Sequence, residues 1–99
     1  MELVRYQRVH WRHGLAEFPV VLFSEIDGDG WETRKVDEYA DGHLDLAGNG
    51  IETGRTFLGL DRVPSLDEIN DDRQFLAEEI TAEEFDAVWS KAMEWFELT

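Results

Sequence analysis

"SEIDGDGWETRKV", residues 24–36, decides how this chain folds. Read as a metal-binding loop, it places Asp27, Asp29 and Glu38 at the first, third and twelfth positions of a calcium-binding helix–loop–helix. Read as a turn, Asp27-Gly28-Asp29-Gly30 is the tip of a β-hairpin, with one strand ending at Ile26 and the next starting at Trp31. The residue types choose the hairpin. The fifth calcium position needs an oxygen ligand and holds Trp31, and the sixth needs a glycine and holds Glu32. The stretch "WETRKVDEY" at 31–39 has the pattern of a strand rather than of a loop entering a helix.

On the N-terminal side, "VVLFSEI" at 20–26 is a nearly continuous apolar run, the pattern of a central strand covered on both faces. Before it, "VRYQRVHWRH" at 4–13 mixes β-branched and aromatic residues with charges at close to period two, and Gly14 and Pro19 break the pattern. After the third strand, "ADG" at 40–42 marks a turn and "HLDLA" at 43–47 alternates as a fourth strand. The short connections predict an antiparallel meander. "GNGIETGRTFLGLDRVP" at 48–64 is punctuated by glycine, with a short extra strand expected at Thr56–Leu60.

Two helices close the chain. Ser65 and Glu68 form a capping box, with Pro64 and Ile69 as a staple, and predict a short helix over 66–73. Thr81 and Glu84 repeat the device, with Ile80 facing Phe85, and predict a helix over 82–97. In the second, Phe85, Val88, Trp89, Ala92 and Phe96 fall on one stripe at helical spacing, with Met93 and Trp95 on its shoulders. That stripe needs an apolar partner, and the sheet is the only one large enough. The expected fold is α+β: a four- to five-stranded antiparallel meander sheet over about 3–60, with both helices packed on one face, in a single domain of residues 1–99.

Strand parity then assigns faces. A helix-facing core of Val9, Trp11, Val36, Leu44 and Leu46 is self-consistent. It leaves Tyr6, Arg8, His10, Arg12, Trp31, Lys35, Tyr39 and His43 on the opposite face. Of these, Tyr6, Arg8, His10, Trp31, Lys35 and Tyr39 are the expected partner-binding residues, because aromatic side chains with interleaved cations are the composition of a binding hot spot. The plainer alternatives are that this face packs on the 48–64 segment, or that its cross-strand pairs only stabilise the sheet. A bulge in the third strand would scramble the parity.

The chain has 99 residues, 23 acidic and 9 basic, and a formal net charge of −14. Residues 1–60 hold 11 acids and 6 bases, net −5, whereas residues 61–99 hold 12 and 3, net −9. Such a surface repels nucleic acid and anionic membranes and attracts basic proteins. There is no cysteine, which excludes disulfides and thiolate metal sites and predicts a reducing compartment. With no apolar run of signal-peptide or membrane-spanning length, a cytoplasmic protein is expected.

No constellation of catalytic residues stands out. His10 and His13 would point to opposite faces of a strand, so a shared metal is not expected. The glycines at 48, 50, 54 and 59 lack the order and the lysine of a phosphate loop. Ser65 is used in capping, Ser24 lies in a strand, and Ser90 faces away from the stripe. Carboxylates are too abundant for any one pair to carry information. No cofactor, metal or enzymatic activity is therefore assigned.

The ordered motifs resemble a known family. The tryptophan-containing first strand, the Pro19-Val20 start of the second, Phe23-Ser24-Glu25, Asp27, Trp31-Glu32, Arg34-Lys35-Val36-Asp37, the Pro-Ser-Leu-Asp-Glu-Ile helix start at 64–69 and the Ile-Thr-x-x-Glu-Phe helix start at 80–85 are similar to those of small, mostly bacterial proteins described as a domain of unknown function. Phe23 and Asp37 stand where that pattern carries tyrosine and glutamate. The resemblance implies a free-standing cytosolic bacterial domain and brings no activity with it. Charge and composition together lead to the expectation of a non-enzymatic interaction module, such as an immunity-type inhibitor of a basic partner. The alternative is a metal- or small-ligand-binding domain with hydrolytic activity, built on His10, His43 and nearby carboxylates.

Overall fold

A computed structural model describes residues 3–98; residues 1, 2 and 99, the ends of the expected domain, lie outside that description. The chain runs β1 (Arg5–Trp11), β2 (Val21–Ile26), β3 (Glu32–Glu38), β4 (Leu44–Gly48), β5 (Ile51–Glu52), α1 (Leu66–Asn70), β6 (Phe75–Ile80) and α2 (Ala82–Trp95). The strands form one open antiparallel sheet in the order β5-β4-β3-β2-β1-β6. The class is α+β as expected, but the strand count is six rather than four to five. The addition is β6, which returns after α1 to pair with β1. The fifth strand lies at Ile51–Glu52 rather than Thr56–Leu60.

The hairpin at 27–30 is closed by its aspartate. Asp27 Oδ1 accepts from the Asp29 and Trp31 amides at 3.0 and 2.9 Å, the Asp27 amide donates to the Trp31 carbonyl at 2.9 Å, and Gly30 takes a φ of +93°. Glycine adopts that left-handed region at no steric cost. The carboxylate that imitates a calcium ligand is thus occupied in shaping the turn.

Both capping boxes form. Ser65 Oγ accepts from the Glu68 amide at 3.2 Å, and Thr81 Oγ1 accepts from the Glu84 amide at 3.1 Å. The α2 stripe buries Phe85, Trp89 and Ala92 against Val36, Leu44, Leu46 and Ile80, with Tyr6, Phe23, Val88, Met93 and Phe96 packed around them. Each large apolar side chain buried here contributes about 1.5–3 kcal/mol.

The helices do not share a face, contrary to expectation. Helix α2 covers the face of Val36 and Leu46. Helix α1 sits at the free edge of β6, where Asn70 acts as a surrogate strand. Its amide nitrogen donates to the Ala77 carbonyl at 3.0 Å and its oxygen accepts from the Ala77 amide at 2.6 Å. Covering an edge in this way blocks pairing with another chain. From there α1 flanks the face opposite α2.

The parity of β1 is also reversed relative to expectation. Arg8 pairs with Phe23, and Phe23 with Val36, so Tyr6, Arg8 and His10 share the α2 face; Val9 pairs with Leu22 and lies on the other. The reason is β2. Leu22 and Phe23 are both apolar, so the strand between β1 and β3 transmits no preference. A bulge opposite Glu25 and Ile26 leaves Thr33 unpaired and breaks the alternation between Trp31 and Lys35.

One ion pair lies under α2. Arg34 holds Glu25 bidentately, Nε to Oε1 at 2.9 Å and Nη2 to Oε2 at 2.6 Å, with both side chains 16% exposed. The guanidinium lies 4.9 Å from the Phe85 ring and 5.1 Å from the Trp89 ring, and also reaches Asp86 at 3.1 Å. Opposite Arg34 stands Gly48, where a Cβ would come within 2.9 Å of the arginine stem. The Arg34→Ala change strands the Glu25 charge and removes both ring contacts, and should cost about 2–4 kcal/mol. The double change Glu25→Leu with Arg34→Met should cost clearly less. Urea denaturation followed by circular dichroism measures both; equal losses would show that the pair itself contributes nothing.

Candidate functional site

The face opposite α2 carries polar residues in its centre. Gln7, Ser24 and Lys35 stand side by side in one row across β1, β2 and β3. The segment after β5 passes over this face and is tied down at the 27–30 hairpin. The Val63 amide donates to the Gly30 carbonyl at 2.8 Å, the Gly59 amide donates to Glu32 Oε1 at 3.0 Å, and the Arg62 guanidinium lies 5.5 Å from the Trp31 ring. Helix α1 approaches from the β6 edge. Between sheet, segment and helix lies a cavity of about 490 Å³, within the size range of small-molecule sites. Gln7, Ser24, Glu32 and Lys35 form its polar part. Val9, Leu22, Val63, Pro64, Ile69 and Phe75 form its apolar walls, and the exposed acids Glu68 and Asp72 complete the lining.

Ser24 Oγ donates to Glu32 Oε2 at 2.6 Å. A carboxylate is too weak a base to take a serine proton, so this bond orients Glu32 rather than activating Ser24. Lys35 Nζ lies 3.9 Å from Glu32 Oε1 and 4.0 Å from Asp37 Oδ1, ion-pair separations that leave its hydrogen-bond donors unfilled by those oxygens. Asp37 is buried and accepts from the Thr56 hydroxyl, while its Oδ1 has no partner. Burial pushes the Asp37 carboxyl above its ordinary value, with Lys35 and Thr56 opposing. Gln7 is 4% exposed and its Oε1 also lacks a partner. A buried polar group left unsatisfied costs about 1–3 kcal/mol, so two on one face set it apart from the packed side under α2.

The six expected partner-binding residues are dispersed. Tyr6 lies beneath α2 with its ring 5.4 Å from Phe85, and its hydroxyl is pushed up by burial and by the Glu25 carboxylate. Arg8 and His10 meet Glu78 on the same face; Arg8 Nε donates to Oε1 at 2.7 Å and His10 Nε2 lies 3.6 Å from it. Trp31 stands at the 27–30 hairpin under Arg62. Lys35 faces the cavity on the opposite side of the sheet. Tyr39 is buried at the far hairpin, stacked on His43 at 3.9 Å, and His43 Nδ1 contacts Asp41 at 2.6 Å. The six residues therefore do not share one aromatic and cationic face: only Lys35 and Trp31 meet the side crossed by the segment after β5.

His10 on β1 and His43 at the start of β4 have β2 and β3 between them, too far apart to share an ion. Among the described residues, no group of three or more histidines and carboxylates is placed to hold a metal. Likewise, no helix among them is long and apolar enough to cross a membrane. Sequence parity left out Gln7, Ser24, Glu32 and Asp37. The signal was present in Ser24, a polar residue following the apolar run of β2, whereas in β1 Gln7 stands among Arg5, Arg8 and His10 and is not singled out.

A family model described as a domain of unknown function (DUF6881) matches residues 5–94. The chain belongs to this family. No curated protein and no solved structure matches it.

The raised pKa of Asp37 has a defined sign. A carboxyl that binds its proton more tightly when folded destabilises the fold as pH climbs above the unfolded value of 3.8, and most strongly once the folded group has ionised. Asp37→Asn keeps an acceptor for Thr56 and removes that charge. It should stabilise the protein at pH 7 by more than at pH 3, read from urea midpoints at the two pH values. The opposite ordering would show that the Lys35 attraction outweighs burial.

Proposed function

We propose that this domain is a non-enzymatic interaction module that docks a basic protein partner, as an immunity-type inhibitor would. The observation that carries this reading is one corner of the molecule, where the end of β1 and the start of β6 meet the end of α1. There Trp11 lies 5.7 Å from Phe18 and 5.9 Å from Phe75 between ring centres, and Phe18, Leu15 and Leu76 are exposed. Beside this aromatic cluster α1 and its following turn present Asp67, Glu68, Asp71 and Asp72, all exposed. An aromatic centre with a charged margin is the anatomy of a protein interface. Acids of one sign speed encounter with a basic surface. The surplus of acids over bases in residues 61–99 supports the same direction, since α1, β6 and α2 all derive from that part of the chain. A small-ligand reading draws on a different observation, the cavity with the unpartnered Gln7 Oε1.

The test is affinity capture with the tagged protein at about 50 mM and about 300 mM salt, a range over which screening of exposed charges more than doubles. Captured proteins should be enriched in basic ones and released by the higher salt. They should be lost from two variants, Trp11→Ala and the fourfold change Asp67→Asn, Glu68→Gln, Asp71→Asn, Asp72→Asn. A captured set no more basic than its source, or one retained by both variants, would overturn the reading.

A further inference from the structure

We infer that the cavity between the sheet and α1 binds a small, uncharged organic molecule with an apolar body and an amide-like head, one offering a hydrogen-bond donor and an acceptor side by side. This inference stands on the cavity alone and is independent of the partner reading.

The polar floor specifies the head. Gln7 lines the cavity while 4% exposed, and its buried Oε1 has no hydrogen-bond partner among the described residues. A carboxamide carries both donors and an acceptor, so the group that satisfies it best is another amide-like edge. Two strands away in the same row, the Lys35 ammonium also lines the cavity, with its nearest carboxylate oxygens at 3.9 and 4.0 Å. It is a donor with capacity left for a ligand carbonyl. Ser24, between them, donates its hydroxyl hydrogen to Glu32 and retains acceptor lone pairs for a ligand N–H.

Charge weighs against the two ionic alternatives. An anionic head would meet Lys35 but would enter past Glu32, Glu68 and Asp72 in a protein of net charge −14. A cationic head would pass those acids and then meet the Lys35 ammonium at the floor. A neutral head that both gives and accepts hydrogen bonds avoids both penalties. The rest of the lining, from Val9 and Leu22 on the sheet to Ile69 on α1 and Phe75 on β6, suits an aliphatic or aromatic body. The chemical class is therefore a primary amide, lactam or cyclic imide on an apolar ring or chain.

Benzamide is the probe, with benzoate and benzylamine as charged controls of the same body. The full chain is titrated to millimolar concentrations and followed by the side-chain NH₂ signals of Gln7 in ¹H–¹⁵N spectra. Benzamide should shift those signals saturably, and the two charged probes should bind at least ~10-fold more weakly, the size of one net hydrogen bond. Gln7→Leu, checked for an unchanged circular dichroism spectrum, should weaken benzamide binding by a similar factor when followed through backbone amides of β1 and β2. Ile69→Trp, which fills the cavity from α1, should abolish it and decides the matter if Gln7→Leu does not fold. No saturable shift, an equal response to the charged probes, or undiminished binding to the Ile69→Trp protein would overturn the inference and leave the cavity as a water-filled space.

Discussion

The Arg34–Glu25 pair is the interaction on which the α2 side of the fold depends. Arg34 lies within β3 and Glu25 near the end of β2, so the pair spans two central strands; its guanidinium then stacks against Phe85 and Trp89 of the helix above. A planar fork can meet a carboxylate edge-on while presenting its faces to aromatic rings, and lysine cannot do both. The Glu25 carboxyl is held below its ordinary range, first by the hydrogen bonds from Arg34 and then by the Thr33 hydroxyl, with burial opposing. The contribution of this group is therefore present at neutral pH and fades only as pH falls through the lowered value. Gly48 completes the arrangement, since any side chain there would strike the arginine stem and the Thr33 carbonyl.

That commitment shapes the rest of the sheet. Once α2 takes the face of Val36, Leu46 and Phe23, the other face must be covered by something else. Only α1 and the segment after β5 remain. Neither is a long amphipathic element: α1 spans five residues and buries none of them fully. They are secured instead by polar ties, Asn70 to Ala77, Gly59 to Glu32 and Val63 to Gly30. A cover held at its margins rather than through a packed centre leaves a space beneath it. The cavity is thus a consequence of which helix claimed which face, and its polar floor is the part of the sheet that apolar packing did not reach.

Local signals in the sequence were legible wherever one residue type does one job. The 27–30 hairpin, both capping boxes and the stripe of α2 all follow from short-range chemistry, and all are found. The features that failed required long-range pairing. Strand β6, "FLAEEI", has consecutive glutamates and no clean alternation, because Leu76 and Glu79 are exposed on opposite faces of a short outer strand; its partner β1 lies more than sixty residues upstream. The β4–β5 connection shows a missed opportunity. Asn49-Gly50 is a strong hairpin dipeptide, and both residues take positive φ, 54° and 80°, as such a turn requires. The site was lost through parity. Because β2 is apolar on both sides, β1 could be laid against β3 in either sense, and the wrong sense placed Lys35 with Tyr6 and Arg8 when the sheet divides them.

The ion pairs explain why the acidic surplus gathers where it does. Arg34 is engaged by Glu25 and Asp86, Arg8 by Glu78, Arg62 by the Trp31 ring, and Lys35 by Glu32 and Asp37. Four of the 9 basic residues are thus committed within the sheet and its hairpins, and the α1–β6 stretch, residues 66–80, holds Arg73 against six acids. An edge strand is the part of a sheet most exposed to unwanted pairing, and like charges along it oppose association with a second copy of the same chain. The same charges favour a basic surface of another protein. On the proposed reading the acids of α1 serve a structural end and a recognition end at once, while the cavity floor sets the Lys35 ammonium among the Glu32 and Asp37 carboxylates. The two proposals make opposite demands on what approaches, positive charge at the corner and neutrality within.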